Sequence, residues 1–261
     1  MISNITAPIA LGQATDNYVI RDASGFGSGG VEVVRWNRPG FHGIKTPRSF
    51  WRERIMRLVI GVRADNSATY EQKRRDLEEA FDLPRNGLTW LKFTTTGGLK
   101  LQTRVQLNAS IQAPLRAGEV TIGEFRIELI AEDPIFYSQT EHNTDITFAA
   151  GSGTLTNSGN APVFPEARIH GNVKNPSILS SGLARTVSLA GITIAAGHYY
   201  NINMLEEIVE DETEASKYSY VDTDDFFWLA KGNNTIVLGG TLGASGDRKV
   251  TFSYRDGYLG V

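Results

Sequence analysis

The chain of 261 residues has 27 glycines, no cysteine and a formal net charge of −3. The absence of cysteine excludes disulfide scaffolds and thiolate zinc sites, and the length suits one large domain or two ordinary ones. The N-terminal residues do not resemble a signal peptide, and no stretch has the length of a membrane span, so neither export nor a membrane anchor is expected.

The two halves of the chain differ in composition. Residues 1–137 hold 18 Lys and Arg against 15 Asp and Glu, whereas residues 138–261 hold 8 against 14. Charged strands give way to Ser, Thr, Gly and Asn after Pro134, which predicts a domain boundary near residue 137. Opposite net charges would favour defined stacking of copies, but an ordinary solvated surface also explains them.

Strand patterns dominate residues 1–137, and Leu99–Asn108 alternates most clearly between apolar and polar residues. Thr121–Ala131 repeats the pattern, with a bulge expected at Gly123. One amphipathic helix is predicted over 69–83, with a capping box at Thr69–Gln72 and a stop at Pro84, lying on a sheet. The other predicted strands are 18–20, 31–36 and 54–62.

The pattern of residues 138–261 predicts almost only short strands and turns, at spacings typical of a β-sandwich. The fold class is therefore mainly β, with an α+β N-terminal domain (1–137) and a C-terminal β-sandwich domain (138–261). The predicted strands are 145–149, 153–156, 166–170, 185–189, 199–203, 226–230, 235–238 and 249–254.

The sequence contains only weak matches to catalytic, cofactor-binding and metal-binding motifs. Gly25–Gly30 matches G-x-G-x-x-G, but a β-branched run follows it where a dinucleotide site needs a helix, so a turn or loop is favoured. The four histidines show no metal-ligand spacing, no G-x-S-x-G elbow occurs, and Asp222–Asn233 lacks the glycine and glutamate of a calcium loop. No catalytic residue, cofactor site or metal site is predicted.

The segment 206–214 packs six carboxylates into nine residues. The interpretation favoured here is a solvated loop or an exposed helical turn. A cation site and a loop for docking a partner remain alternatives.

One region, residues 35–63, combines arginines with aromatic residues. Such a mixture is enriched at protein interfaces. We therefore predict a contact between subunits, with solvated strand faces and a nucleic-acid surface as alternatives. The candidate interface residues are Arg35, Trp36, Arg48, Trp51, Arg52, Arg54 and Arg57.

Several segments in order along the chain resemble the distal tail protein family of long-tailed phages (siphophages). They lie at 39–43 and 70–81 in the first half, and at 157–165, 167–171, 175–178, 228–234 and 252–260 in the second. Each is a weak signal alone, since turns rich in Asn, Gly and Pro are common in β-sandwiches. Their order and spacing carry the resemblance.

The resemblance implies a structural protein of the virion, not an enzyme, made in the host cytoplasm. The family's N-terminal domain, a β-sandwich with one helix, forms a hexameric ring, and rings can stack in pairs. Its C-terminal domain is similar to galectins and carbohydrate modules. The implied partners are the major tail-tube protein, the tail-tip or baseplate hub protein and the tape-measure protein, with DNA passing through the lumen without specific binding.

Two other functions compete with this one. A carbohydrate-binding tail or baseplate module for host attachment would use exposed aromatic residues to contact glycans, although sandwich core is the favoured interpretation for each of them. The candidates are Tyr199, Tyr200, Tyr218 and Trp228. A β-rich hydrolase would need a pocket with a perturbed carboxylate or histidine, which the sequence does not reveal.

Overall fold

The computed structural model describes residues 18–37, 44–81, 88–112, 121–244 and 246–260, without the side chains of 36–37 and 44–48. The chain divides into two compact units. The first comprises residues 1–97, 101–136 and 259–261, and the second comprises residues 98–100 and 137–258. The polypeptide therefore passes from the first unit to the second and returns at its C-terminal end.

The first unit consists of strands, with one helix in its described part. Its main sheet has the strand order β1-β4-β7-β6, with β5 paired to β6, while β2 and β3 form a separate two-stranded sheet. The elements are β1 (Tyr18–Ser24), β2 (Val31–Asn37), β3 (Ile44–Trp51), β4 (Arg54–Arg63), α1 (Ser67–Ala80), β5 (Thr89–Thr94), β6 (Lys100–Leu107) and β7 (Ile122–Ala131).

Strands β4 and β7 form the centre of this sheet. They pair antiparallel without a break in register, from Arg54 opposite Ala131 to Arg63 opposite Ile122. Alternate residues of both strands are buried, as the period of a strand with one covered face requires. The buried side chains include Met56, Ile60, Phe125 and Leu129.

Helix α1 begins two residues before the predicted start. The side chain of Asn66 accepts a hydrogen bond from the Thr69 backbone N–H at 2.8 Å, so Asn66 is the N-cap. The predicted capping box at Thr69 is wrong because Thr69 already lies inside the first turn. The helix ends at Ala80, and the predicted stop at Pro84 lies outside the described residues.

Gly123 does not form the predicted bulge. The pairing of β4 with β7 runs regularly through it. A Cβ atom there would lie 1.8 Å from the hydroxyl oxygen of Tyr70 on the helix, so the residue must be glycine to let the helix approach the sheet.

The second unit is built from two antiparallel sheets. One has the order β10-β18-β12-β13-β17, with β14 paired to β12, and the other has the order β16-β15-β11-β19-β9. Their strands are β9 (His142–Thr147), β10 (Ser152–Asn157), β11 (Glu166–His170), β12 (Val173–Ser180), β13 (Arg185–Leu189), β14 (Thr193–Ile194), β15 (Tyr199–Asn203), β16 (Ile208–Asp211), β17 (Val221–Asp224), β18 (Gly232–Leu242) and β19 (Lys249–Tyr254). Two short strands, β8 (Phe136–Ser138) and β20 (Gly257–Tyr258), lie where the chain passes between the units.

A single apolar cluster fills the space between these two sheets. It takes Ala167, Ile202 and Phe252 from the five-stranded sheet and Ile178 and Ile236 from the other. Buried side chains alternate with outward polar ones along most strands, which is the pattern of a two-sheet sandwich. The mainly β fold class is confirmed.

The strand predicted over 226–230 is wrong. The chain there is irregular and makes a single bridge between Val163 and Leu229. The fully buried Asn157 fixes this region, because its amide donates to the carbonyl oxygens of Ala161 at 2.7 Å and Leu229 at 3.2 Å. Asn234 acts similarly by donating to the carbonyl oxygen of Ala230 at 2.8 Å. The asparagines of these turns therefore have a structural role.

Candidate functional site

Several exposed apolar side chains in the described part of the first unit lie on the hairpin of β2 and β3. Val31 pairs with Trp51 and Glu32 with Phe50, so these two aromatic side chains point to opposite faces. Phe50 is 53% exposed and Trp51 46% exposed. A two-stranded hairpin is marginally stable in water unless something covers it, so this hairpin is a natural docking element.

The predicted interface residues only partly converge on this hairpin. Arg35 lies exposed on β2, and Arg52 follows β3 and pairs with Glu32 at 3.4 Å. Trp36 and Arg48 lie on β2 and β3, but their side chains are outside the described part.

Valines at the start of β2 extend the apolar surface of the hairpin. Val31 and Val33 are both exposed, and neither was among the predicted residues. Both belong to the β-branched run Val31–Val34, which is typical of any strand, so nothing in the sequence marks them as exposed.

Arg54 has a different role from its neighbours. Its side chain is 2% exposed, and its guanidinium donates to the carbonyl oxygens of Gly25, Gly27, Pro134 and Leu259. Burial lowers its pKa. Because the side chain is bound inside the first unit, we leave Arg54 out of the candidate contact surface.

Arg57 lies on the outer face of the main sheet. Its Nε is 2.6 Å from a carboxylate oxygen of Glu128, and hydrogen bonds from Arg57 and Asn108 hold the pKa of Glu128 below its usual range. The pair borders an open groove of about 560 Å³. Three arginines and three acids line the groove, namely Arg21, Arg57, Arg126, Asp22, Glu124 and Glu128.

The four aromatic residues proposed to contact glycans do not share one surface. Tyr199 lies on the outer face of the five-stranded sheet, whereas Tyr200 is half-buried and packs against the core. Tyr218 is exposed in a short 3-10 helix. Trp228 lies in the irregular segment, where the guanidinium carbon of Arg185 is 4.7 Å from the centre of its ring.

The outer face of the five-stranded sheet is polar and internally hydrogen-bonded. Thr251 donates to Asp145 at 2.6 Å, and Arg168 donates to Asn201 at 2.9 Å. The guanidinium of Arg168 also lies 4.5 Å from the centre of the Tyr199 ring. These contacts hold donors and acceptors in fixed positions across four neighbouring strands.

Among the described residues, no three His, Asp or Glu side chains come together as a metal site. No helix in that part of the chain is long and apolar enough to cross a membrane. The glycine-rich run at 25–30 leads into strand β2 and not into a helix.

Solved phage tail proteins share this fold. The Dit protein of phage SPP1, described as a hub of the adsorption apparatus in phages that infect Gram-positive bacteria, superimposes with a TM-score of 0.69 at 14% identity, covering 93% of this chain and 94% of that one. A chain of the phage P2 baseplate in its activated conformation with Ca matches with a TM-score of 0.51 at 10% identity, covering 95% and 93%. The same baseplate with Sr gives equal values.

No family model and no curated protein matches the chain. At such low identities the comparison defines the fold, and the fold is that of the distal tail (Dit) proteins of phages. The match extends over both units, because more than nine tenths of each chain is covered.

Proposed function

We propose that the chain is a non-enzymatic structural subunit of a phage tail that forms a hexameric ring at the distal end of the tail tube. The ring joins the tube to the tail tip or baseplate and leaves a channel for DNA. The exposed hairpin of β2 and β3 carries the proposal, because it gives the fold of a hub protein an element that needs a neighbour to cover it.

In this arrangement the two units have different tasks. The first unit, corresponding to the predicted domain 1–137, forms the ring through Arg35, Trp51 and Arg52, with Trp36 and Arg48 on the same two strands. Arg57 belongs to the outer face of the sheet beside it. The second unit, corresponding to 138–261, is a galectin-like sandwich that projects from the ring.

The partners follow from the same position in the tail. The ring contacts the major tail-tube protein on one side and the tail-tip or baseplate hub protein on the other, and rings can stack in pairs. The tape-measure protein is a partner within the lumen, and DNA passes through the lumen without specific binding. The subunit is made in the host cytoplasm and is incorporated at the distal tail of the virion.

The mass of the purified protein in solution tests the ring. Light scattering across a concentration series, followed by negative-stain imaging of the largest species, is expected to show a six-fold ring or two stacked rings. The double variant Phe50→Ser, Trp51→Ser should shift the population to monomers, because it removes the apolar surface of the hairpin.

The matched control is Trp90→Ser on β5, since Trp90 is 49% exposed but its strand belongs to the main sheet and not to the hairpin. It should leave the ring unchanged. A strict monomer at every concentration, both alone and mixed with the tail-tube protein of the same phage, would contradict the proposal.

A second function, the binding of carbohydrate during host attachment, is supported by the polar outer face of the five-stranded sheet. Its fixed side chains offer the closely spaced donors and acceptors that a hydroxyl-rich ligand needs, and Tyr199 supplies an aromatic surface beside them. Trp228 and Tyr218 lie elsewhere in the second unit, and Tyr200 packs against the core.

Glycan-array binding of the full-length protein tests this second function. Arg168→Ala and Asn201→Ala are expected to abolish binding, while Trp228→Ala should preserve it. Equal loss in all three variants, or no binding by the wild type, would count against the polar face as a glycan site.

A further inference from the structure

Exposed apolar side chains of the second unit are concentrated in one segment. Of its six large exposed hydrophobic side chains among the described residues, four lie between residues 205 and 220. These four are Leu205, Ile208, Tyr218 and Tyr220. Leu205 is 59% exposed, more than any of the others.

The backbone brings these residues side by side. Strand β16 forms one edge of the five-stranded sheet, and residues 215–217 run antiparallel along it, with Glu210 bridged to Ser216 and the Lys217 N–H donating to the Val209 carbonyl oxygen at 2.7 Å. The short 3-10 helix of Tyr218–Tyr220 follows directly and lies against β16. Leu205 lies in the turn that leads into β16.

Hydrogen bonds within the chain hold the segment 205–224 in a defined conformation without a partner. Asp211 accepts hydrogen bonds from the Thr213 and Ala215 backbone N–H groups, and its carboxylate pairs with Lys217 at 2.9 Å. Tyr218 donates to Asp224 at 3.4 Å. A surface held in this way loses little conformational entropy on binding.

The charge around this surface defines what it can bind. Residues 205–224 contain eight acidic residues and one lysine, and that lysine is already paired with Asp211. Nucleic acids and anionic membranes would be repelled. Leu205 and Ile208 offer no hydrogen bonds to the hydroxyl groups of a sugar.

A second copy of the chain fits this surface less well than a different protein. Two of its exposed arginines, Arg52 and Arg57, already hold ion pairs with Glu32 and Glu128, which a contact with this acidic surface would have to break. We infer that the edge formed by residues 205–220 is a docking surface for another protein, through a segment that combines Lys or Arg with apolar side chains. This inference is independent of ring formation by the first unit.

Binding of synthetic peptides to the full-length protein tests the inference. A fluorescent peptide of alternating lysine and leucine is the probe, and a peptide of alternating glutamate and leucine is its matched control. The lysine peptide should bind and the glutamate peptide should not. The variant Leu205→Ser, Ile208→Ser should lower the affinity about tenfold or more.

Leu242→Ser is the control variant, because Leu242 is also exposed but ends β18 in the other sheet. It should bind the lysine peptide like the wild type.

The double variant Glu207→Gln, Glu210→Gln tests the charge. It should bind the lysine peptide more weakly than the wild type at low salt and differ little from it at high salt. Equal binding of both peptides, or full binding by the Leu205→Ser, Ile208→Ser variant, would overturn the inference. Loss of self-association by the Leu205→Ser, Ile208→Ser variant, measured by light scattering, would also overturn it, because the occupant would then be a second copy of the chain.

Discussion

At the scale of single residues, Arg54 was predicted from the sequence to be an interface residue, but in the structure it is buried. It lies in the arginine-rich region 35–63, and the neighbouring residues in the sequence do not mark it as buried. Its guanidinium lies 4.1 Å from the centre of the Phe136 ring and donates to carbonyl oxygens from three distant segments. Those acceptors are backbone groups, which no side-chain pattern reveals.

Replacing Arg54 by methionine should destabilise the protein strongly. Several part-buried carbonyl oxygens would lose their donor, and a fully buried unsatisfied group costs about 1–3 kcal/mol, so we expect a loss of roughly 2 kcal/mol or more. Chemical denaturation measures the loss. Arg57→Met, at an exposed position, is the control and should unfold close to the wild type.

The carboxylate of Asp211 should make stability depend on pH. Hydrogen bonds from Thr213 and Lys217 lower its pKa in the folded state. A lowered folded pKa gives stability that is present above the unfolded value of about 3.9 and is lost as the pH falls further. Asp211→Asn should therefore melt below the wild type at neutral pH, and the difference should shrink under acid. A difference that stays constant down to about pH 2.5 would refute this role.

At the scale of elements, strands and helix differ in how well the sequence predicts them. β11, β13, β15 and β19 follow the predicted bounds, because alternation of apolar and polar residues reports directly on a sheet with one buried face. The start of α1 was missed because Asn66 and Thr69 are both good cap residues, and the choice depends on backbone geometry.

Asn66→Ala tests the assignment of the helix cap. Loss of the hydrogen bond to the Thr69 N–H should lower the free energy of unfolding by about 1 kcal/mol. Asn66→Ser keeps an acceptor and should remain close to the wild type. Urea denaturation of the three proteins gives the comparison, and equal stability of Ala and Ser at this position would contradict the assignment.

At the scale of the whole molecule, the sequence predicts the mainly β fold but not the surfaces used for assembly. Exposure of Phe50 and Trp51 depends on β2 and β3 forming a sheet of their own, which is a long-range property of topology. Likewise the segment 206–214, favoured as a loop, contains strand β16, because pairing with β15 overrides its many carboxylates.

Ring formation should be strongly cooperative. In the proposed ring, a neighbour covers every hairpin only when the ring has closed, so each incomplete oligomer keeps one apolar hairpin in water. A dilution series followed by single-molecule mass measurement should therefore show mainly monomers and complete rings. Abundant dimers and trimers would argue against the hairpin as the contact that closes the ring.

The hydrogen bonds of Arg54 should depend little on salt concentration or acidity. Carbonyl oxygens from Gly25, Pro134 and Leu259 neither gain protons nor attract counterions, unlike the carboxylates that pair with Arg52 and Arg57. Dissolved ions and acidity that weaken surface pairs leave these bonds intact. Three segments far apart in the chain thus share an anchor that is insensitive to the ionic composition of the medium.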